Sequence, residues 1–464
     1  MKIKNTAKTA KRWTSLFAAV LLLSGITTGQ KKIAAFYAPQ LVKSVLPASA
    51  VQYNNLTHLM HAFVYTNRTG ALKIDAGVLY PELVTETHKA GKKIMVAFGG
   101  ADDSGTLSAD IAFVAADSAL RSTLVKNLTD FILSNGYDGI DMDWEFPSDA
   151  VQGQNLTKLV KELRESFTAR SSGLLIAVDV TPTDWFGRHL EYSKLVNYVD
   201  WFNLMAYNFH GSWIKPLHSG HNAPLYSPST DVDGCVNDGV NYLLKTRGVP
   251  KDKIVVGVAY YGFEYNSAGI YQSATGSVPT ILYTDIASRM NSGLWDYKWD
   301  DYSKVPYIQD KARTKLVSFD DTTSLRIKSE YVFQNQLGGV MIWALGEDLT
   351  GGKQPLNEAI GNSFRRQQTS VNDAVVKLDY RLYNNYPNPF NPSTVIRFSL
   401  PAAASVKLQV FNALGEVAAE LINGEMNAGL HEYTFNAEGM ASGIYFCRLT
   451  AGSFINTKKM ILAK

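Results

Sequence analysis

The stretch Asp138-Gly-Ile-Asp-Met-Asp-Trp-Glu-Phe-Pro147 alternates acidic side chains with large apolar ones. Side chains of a β-strand point alternately to its two faces, so Asp141, Asp143 and Glu145 share one face. The apolar residues between them share the other face, which indicates a strand packed against a core. If parallel strands close into a barrel, the acidic face points toward the barrel axis.

Apolar runs of strand length occur on both sides of this stretch, and segments with helical spacing such as residues 123–134 and 156–167 lie between them. Buried strands that alternate with helices are typical of βα units, and eight of them predict an α/β fold, a closed (β/α)8 TIM barrel. An open doubly wound sheet is the alternative, because periodicity alone does not separate the two. The eight predicted strands are residues 33–37, 56–64, 93–98, 139–143, 174–180, 199–205, 254–260 and 339–345.

Residues 262–338, between the seventh and eighth predicted strands, are too numerous for a single helix. Loops that follow barrel strands carry function at the C-terminal face of a barrel. We therefore predict an aromatic-rich insertion that forms one wall of a cleft. Among its aromatic residues are Tyr265, Tyr271, Trp295, Tyr297, Trp299, Tyr302 and Tyr307.

Both ends of the chain differ from the barrel region, which we place at residues 30–364. Residues 1–12 contain five basic residues and no acid, and an apolar run at 16–23 and small residues at 24–29 follow. This order predicts a secretory signal peptide over residues 1–29, because the apolar run is shorter than the ~20 residues that span a bilayer. We expect an exported, soluble protein with no membrane span.

A polar segment, residues 365–381, is predicted to link the barrel to a second domain at 382–464. In this second region short alternating strands are separated by turn residues, and no stretch has the length and period of a helix. The pattern predicts a small all-β sandwich.

The composition argues against several partners and cofactors. The 464 residues include 45 basic and 42 acidic ones, so we expect no nucleic-acid partner. Two cysteines, Cys235 and Cys447, are too few for a disulfide scaffold. His210, His218 and His221 follow the sixth predicted strand, but without a thiolate and with irregular spacing they are interpreted as solvated loop histidines rather than a zinc site. We predict no metal, no cofactor and a monomeric chain.

The three carboxylates on one strand face indicate acid–base chemistry. Successive same-face positions lie about 6–7 Å apart, and in a sheltered site such carboxylates cannot all be ionised. A retained proton beside an anion is what general acid cleavage of a glycosidic bond requires. The alternatives are a Ca2+ or Mg2+ site, whose oxygen ligands usually come from a loop, and a solvated acidic face. The interleaved Ile140, Met142 and Trp144 favour burial.

The spacing Asp138-x-x-Asp141-x-Asp143-x-Glu145 resembles the fourth-strand signature of glycoside hydrolase family 18, the chitinases. The resemblance extends over residues 31–364 through three further motifs in the family's order. These are similar to its third-, sixth- and eighth-strand motifs and read Ala97-Phe-Gly-Gly100, Met205-Ala-Tyr207-Asn208 and Gly339-Val-Met-Ile-Trp343.

The resemblance implies a chitinase that hydrolyses the β-1,4 bonds of chitin or N-acetylglucosamine oligosaccharides with retention. By this carry-over Glu145 protonates the leaving oxygen, and the substrate's own N-acetyl carbonyl attacks the anomeric carbon to form an oxazolinium ion. Asp143 orients the acetamide, Asp141 shares a proton with Asp143, and Tyr207 donates to the acetamide carbonyl. Trp343 stacks under the sugar ring, and the other residues predicted to bind substrate are Asn208, Met205, Trp213, Phe63 and Gly100.

Two positions depart from the family's motifs. Ala97 replaces a serine whose hydroxyl supports the innermost aspartate, and Asn208 replaces an aspartate, so we expect a different pH profile and different sugar contacts. The alternative functions are an endo-β-N-acetylglucosaminidase acting on N-glycan chitobiose cores and a chitin-binding lectin, although lectin relatives have lost the acid that Glu145 provides. Further aromatic residues are interpreted either as groove residues or as packing: Trp185, Trp295, Trp299, Tyr260 and Tyr261.

The motifs Tyr386-Pro-Asn-Pro-Phe-Asn-Pro392 and Ser442-Gly-Ile-Tyr445, with residues 410–415, 428–431 and 458–462, resemble those of a type IX secretion sorting domain. The resemblance implies a Bacteroidetes-like bacterium, the type IX secretion machinery as partner, and the cell surface or the medium as destination. The alternative is a carbohydrate-binding module. Against it, the aromatic residues alternate along strands and are predicted to be core: Phe398, Phe411, Tyr433, Phe435 and Tyr445.

Overall fold

The structure is a computed structural model that describes residues 31–373, 379–427 and 429–463. The predicted signal peptide at residues 1–29 lies outside the described residues. Within the described part of the chain, no helix is both long and apolar enough to cross a bilayer.

Eight parallel strands form the predicted barrel. The first strand pairs with both the second and the eighth, and every other strand pairs with the barrel strands before and after it, so the sheet is closed. Each predicted strand coincides with an observed one, which confirms the (β/α)8 barrel. Strands one to eight are Lys32–Tyr37, His58–Thr66, Lys93–Gly100, Gly139–Trp144, Leu175–Val180, Trp201–Leu204, Ile254–Ala259 and Gly339–Trp343.

Helices follow the strands and cover the outside of the barrel. The helix after strand four begins at an N-cap, Asp149, whose side chain accepts a hydrogen bond from the backbone N–H of Gln152. This cap ends the loop that leaves strand four. The barrel helices are Pro39–Val42, Pro81–Lys89, Thr106–Ala116, Ser118–Asn135, Ala150–Arg170, Asp184–Gly187, Tyr192–Leu195, Val236–Asn241 and Pro355–Asp373.

Side chains along each barrel strand alternate between its two faces, so the barrel core consists of an outer cluster and an inner cluster. On strand four, Ile140, Met142 and Trp144 belong to the outer cluster, which includes buried residues of the covering helices. The inner cluster combines small or unbranched side chains such as Ala97 and Met341 with aromatic ones such as Trp201. Small side chains leave room around the axis for polar groups.

The insertion between strands seven and eight contains a sheet of five antiparallel strands. Tyr265, on its first strand, is buried in the inner cluster of the barrel. Trp295 instead packs against the outer cluster with the Arg289 guanidinium 5.2 Å from its ring centre, so it is a packing residue rather than a groove residue. The strands are Tyr261–Tyr265, Thr280–Leu282, Trp295–Asp300, Val305–Asp310 and Leu316–Ser318, and the helices are Tyr283–Asn291 and Thr322–Gln334.

The C-terminal region consists of two antiparallel sheets with an apolar cluster of its own, as predicted for a sandwich. Phe398, Phe435 and Tyr445 are core residues, and Tyr433 packs against them. One sheet contains Arg381–Leu382, Ser393–Leu400 and Gly429–Asn436, and the other contains Val417–Met426, Ala404–Phe411, Gly443–Ala451 and Phe454–Leu462.

The prediction for Phe411 is wrong. Val406, Leu408 and Val410 on the same strand face the core, so alternation turns Phe411 to the outer face of its sheet. Its ring lies there with the Arg448 guanidinium 4.5 Å from the ring centre.

The last barrel helix, Pro355–Asp373, extends into the segment predicted as a linker. Phe364 is buried in the outer cluster and contacts Phe333 edge-on. Residues 365–373 are polar but contain neither Gly nor Pro, so nothing in them ends the helix. The interdomain segment therefore begins as a helix.

Candidate active site

Strand four places its carboxylates as the alternation predicts. Asp141 and Asp143 are buried, with 0% and 3% of their surface exposed. Glu145 follows the last residue of the strand, at the C-terminal end of the barrel, and is half-buried. Asp138, at the opposite end, accepts hydrogen bonds from Lys93 and from the backbone N–H of Ile94, which gives it a structural role. The strand thus leads from two sealed carboxyl groups to one that a ligand can reach.

Asp141 is held by an amide that the sequence did not single out. The Asn203 Nδ2 group, on strand six, donates to Asp141 Oδ1 over 2.9 Å, and Asn203 Oδ1 accepts from Trp201 Nε1 over 2.9 Å. Ala97 is the register partner of Asp141 on strand three and has no hydroxyl to offer. Asn203 therefore supplies a hydrogen bond to the innermost carboxylate.

Asp179, on strand five, adds a fourth carboxyl group that sequence reasoning missed. The pairing of strands four and five continues from Met142 opposite Val178, which brings Asp143 beside Asp179. Asp179 is buried, and its hydrogen bond with Asp143 lowers the pKa that burial raises for Asp143, so the ionisation of the two groups is linked. The sequence does contain a signal for this residue, because Asp179 is the one acidic residue in the otherwise apolar run 174–180.

Burial raises the pKa of all four carboxyl groups, because an ionised carboxylate loses its hydration in this site. The charge of Asp141 raises the pKa of Asp143 further, and the charge of Asp143 does the same to the pKa of Glu145. The cluster therefore retains protons at neutral pH. Such an arrangement can deliver a proton from the accessible Glu145 while an anion remains beneath it.

Two tyrosines adjoin the carboxylates. Tyr207 is buried, and its ring lies edge-on to that of Tyr261 with centres 6.2 Å apart. The Tyr261 hydroxyl donates to Asn208 Oδ1 over 2.6 Å. Asn208 has a φ of 60°, a left-handed conformation that Asn tolerates. Tyr261 belongs to the inner cluster and Tyr260 to the outer one, so only Tyr261 adjoins the site.

An aromatic patch lies beside these tyrosines in the inner cluster. The Trp343 ring is stacked on Phe63 at 5.8 Å and contacts Phe36 at 5.1 Å. Gly100, with a φ of 88°, permits this packing, because a Cβ there would come within 3.3 Å of the Phe63 ring. Met205, half-buried, packs against the same cluster. The predicted residues Trp343, Phe63 and Gly100 are thus brought together.

Two exposed tryptophans lie further out. Trp213 is 46% exposed and contacts Phe263 edge-on. Trp185 is 65% exposed and packs on Phe186, which stacks on Phe146 at 4.9 Å. Phe146 directly follows Glu145, so a ladder of three rings leads from the acid to the surface. No motif in the sequence singles out Phe146 or Phe186.

The interpretation of the three histidines after strand six as solvated is wrong. His210 and His221 are fully buried, and His218 is half-buried. The loop that carries them folds back on the insertion, where His221 Nδ1 lies 2.9 Å from Ser318 Oγ and Nε2 lies 3.1 Å from Asp300 Oδ2.

The chain matches two protein families. Residues 32–348 match Glycosyl hydrolases family 18, and residues 384–463 match the Secretion system C-terminal sorting domain. Both matches agree with the resemblances in the sequence motifs.

Several relatives are similar to the barrel region. Chitinase A1 of Niallia circulans is 31% identical over 290 residues, which cover 55% of this chain and 40% of that protein. Chitotriosidase-1 of Mus musculus is 31% identical over 325 residues, 64% of this chain and 68% of that protein. Catalytic domain 2 of the Ostrinia furnacalis Group II chitinase superposes with a TM-score of 0.67 at 26% identity, over 73% of this chain and 97% of that domain. A mutant of that domain has been solved in complex with penta-N-acetylchitooctaose.

Proposed function

The chain belongs to glycosyl hydrolase family 18, and from this premise we propose that it is a chitinase that hydrolyses β-1,4 bonds between N-acetylglucosamine units. The observation that carries the proposal is the position of Glu145, half-buried at the barrel mouth directly after Asp141 and Asp143 on one strand face. The chitinases among its relatives support the substrate class.

Glu145 is the general acid of the proposed reaction. Burial and the charge of Asp143 raise its pKa, so it holds a proton at neutral pH that it transfers to the glycosidic oxygen. The bond from that oxygen to the anomeric carbon breaks as the carbonyl oxygen of the substrate's own acetamide bonds to the same carbon. The product of this step is an oxazolinium ion, the substrate-assisted exception to the two-carboxylate scheme.

Asp143 orients the acetamide N–H and stabilises the positive charge of the oxazolinium ion. The hydrogen bond with Asp179 lowers the pKa of Asp143 and so favours the negative charge on Asp143. Water then attacks the anomeric carbon as the bond from that carbon to the acetamide oxygen breaks, and the Glu145 carboxylate accepts a proton from the water. Two inversions at one carbon give net retention.

Tyr207 and Trp343 position the reacting sugar. The Tyr207 hydroxyl donates to the acetamide carbonyl, and burial raises the pKa of this phenol, so it remains a donor across the physiological range. The indole of Trp343, braced by Phe63 and Phe36, provides an apolar surface for the face of the sugar ring.

The test is the Glu145→Gln variant, assayed by release of N-acetylglucosamine oligomers from colloidal chitin. We expect a loss of about 10²–10⁴-fold in turnover, the usual contribution of a general acid. Glu165→Gln is the matched control, because Glu165 is exposed on the following helix. Undiminished turnover by the Glu145→Gln variant would contradict the proposal.

The wild-type protein distinguishes the alternative functions. Release of N-glycans from a denatured glycoprotein, without chitin cleavage, would indicate an endo-β-N-acetylglucosaminidase. Retention on chitin beads without soluble product would indicate a lectin.

We further propose that the C-terminal sandwich directs export through a type IX secretion system in a Bacteroidetes-like host, following removal of residues 1–29. The match of residues 384–463 to a secretion sorting domain supports this role. The sandwich has its own apolar cluster, so deletion of residues 382–464 should leave the activity of the purified barrel intact and abolish surface delivery in the native host. Loss of chitin affinity instead would indicate a binding module.

A further inference from the structure

Three side chains of the loop after strand six, those of His210, His218 and Asp233, have ligand atoms within 4.8 Å of one another, and a fourth, Asp231, contacts His210. The proposed mechanism does not use this cluster. His210 Nε2 lies 3.1 Å from Asp231 Oδ1 and 3.3 Å from Asp233 Oδ2. His218 Nε2 lies 2.9 Å from the same Asp233 oxygen. The His210 and Asp231 side chains are almost completely buried, with 0% and 1% exposed, so the cluster is not a chance meeting of surface charges.

The hydrogen bonds of the Nδ1 atoms determine whether each Nε2 atom carries a hydrogen or a lone pair. His210 Nδ1 lies 2.9 Å from the carbonyl oxygen of His221, and His218 Nδ1 lies 3.1 Å from that of Pro216. A carbonyl oxygen only accepts hydrogen bonds, so both Nδ1 atoms carry a hydrogen. In a neutral imidazole the Nε2 atom then presents a lone pair, and here both lone pairs face carboxylate oxygens. Acceptors that face one another in this way repel, so either a second ring proton or a bound cation lies between them.

We propose that His210, His218, Asp231 and Asp233 form a site for a divalent cation of the zinc type. Imidazole nitrogens with carboxylate oxygens suit Zn2+, whereas Ca2+ and Mg2+ prefer oxygen ligands alone. Tetrahedral bonds of about 2.1 Å place ligand atoms about 3.4 Å apart, close to the separations of 2.9–3.3 Å in this cluster.

The surroundings of the cluster match those of metal ligands. Histidines that bind metal usually donate their second N–H to a backbone carbonyl or a carboxylate, which orients the ring. Both rings do so here, and the backbone N–H of Asp233 donates to Asp231 Oδ1 over 3.1 Å, which orients that carboxylate.

The cation would tie the loop to the edge of the active site. His210 lies two residues after Asn208, and the backbone N–H groups of Asn208 and Phe209 donate to Asn222 within the same loop. Trp213, exposed near the barrel mouth, belongs to the loop as well. A cation that joins residues 210 and 218 to 231 and 233 would therefore hold the strand-six side of the groove in place.

The experiment uses the purified full chain, stripped with a chelator, dialysed and titrated with ZnCl2 alone. Calorimetry and elemental analysis should find one Zn2+ per chain, and bound zinc should slow proteolysis within residues 212–232. His218→Ala and Asp233→Asn should each lower the zinc affinity by about tenfold or more. His88→Ala is the control, because His88 pairs with Asp138 at the other end of strand four, and it should bind as the parent does.

Asp233→Asn preserves the shape of the side chain, so this variant still tests the zinc site if His218→Ala does not fold. The proposal is overturned if the wild-type chain takes up no zinc, the outcome expected when protonated rings pair with the carboxylates instead. It is also overturned if the folded Asp233→Asn variant retains full affinity. Because metal content and affinity are measured without substrate, these results are independent of the chitinase assay.

Discussion

Replacement of Asp179 tests whether the carboxyl cluster acts as one proton-sharing unit. Asp179 donates a hydrogen bond to Asp143, which favours the ionised form of Asp143 and lowers the pKa that burial raises. Asp179→Ala removes this donor and leaves Asp143 with a higher pKa. Activity that depends on the Asp143 anion is then lost at neutral pH and recovers only at higher pH.

The size of the effect follows from the bond that is removed. A hydrogen bond to a charged group contributes about 1.5–3 kcal/mol, which corresponds to a fall of about 10- to 150-fold in kcat/KM near pH 7. Asp179→Asn keeps an N–H donor at every pH. It should therefore retain more activity than the alanine variant, and the acid limb of its pH profile should not move upward.

The assay is kcat/KM for a soluble N-acetylglucosamine oligomer, measured from acid to alkaline pH for both variants and the parent. Asp348→Asn is the matched control, since Asp348 is a fully buried acid that accepts backbone N–H groups of Leu356 and Asn357 outside the cluster. It should lower the melting temperature without moving the profile. Identical profiles for the parent and for the folded Asp179→Ala and Asp179→Asn variants would refute the proton-sharing argument.

Three further predictions concern the same barrel. Ala97→Ser places a hydroxyl beside Asp141, its register partner, and should lower the pKa of that carboxyl. The charge of Asp141 raises the pKa of Asp143, so the acid limb of kcat/KM should move to higher pH, and an unmoved limb contradicts this. Trp343→Ala should raise KM for oligomers about tenfold and change kcat less, because it removes stacking surface rather than the acid. Burial raises the pKa of Glu347 to about 7 and of Asp348 to about 6, so both bind protons more tightly in the folded chain. Each shift corresponds to about 3 kcal/mol, so the free energy of unfolding should fall by about 6 kcal/mol as pH rises from about 4 through about 7. Glu347→Gln should flatten that slope in urea titrations.

The strands and the acidic face follow from local alternation, which is why they could be predicted. Strand four carries its carboxylates on one side and Ile140, Met142 and Trp144 on the other, as the period of two requires. Alternation alone does not tell which face of a strand is buried, and the prediction placed Phe411 in the core. Phe411 directly follows Val410, which faces the core, so Phe411 faces outward. A period of two predicts which residues share a face, but packing decides which face is inside.

The supporting residues could not be predicted, because they come from other strands. Asn203 and Asp179 each lie within a mostly apolar run, and only the register of strands four, five and six brings them to Asp141 and Asp143. Tyr260 and Tyr261 are adjacent in sequence and equally aromatic. The turn at the end of strand seven sends one to the outer cluster and the other to the site.

The sequence by itself determined the barrel, the sandwich and the acidic strand, because each depends on repeating patterns within short stretches. Only the tertiary structure decided which groups share protons and which histidines are buried. His210 and Asp231 are 21 residues apart, and a chain folds such positions together through loop contacts that no local period records. Burial then changes their chemistry, since the energy of an ionised group depends on the water and the charges around it rather than on its neighbours in sequence.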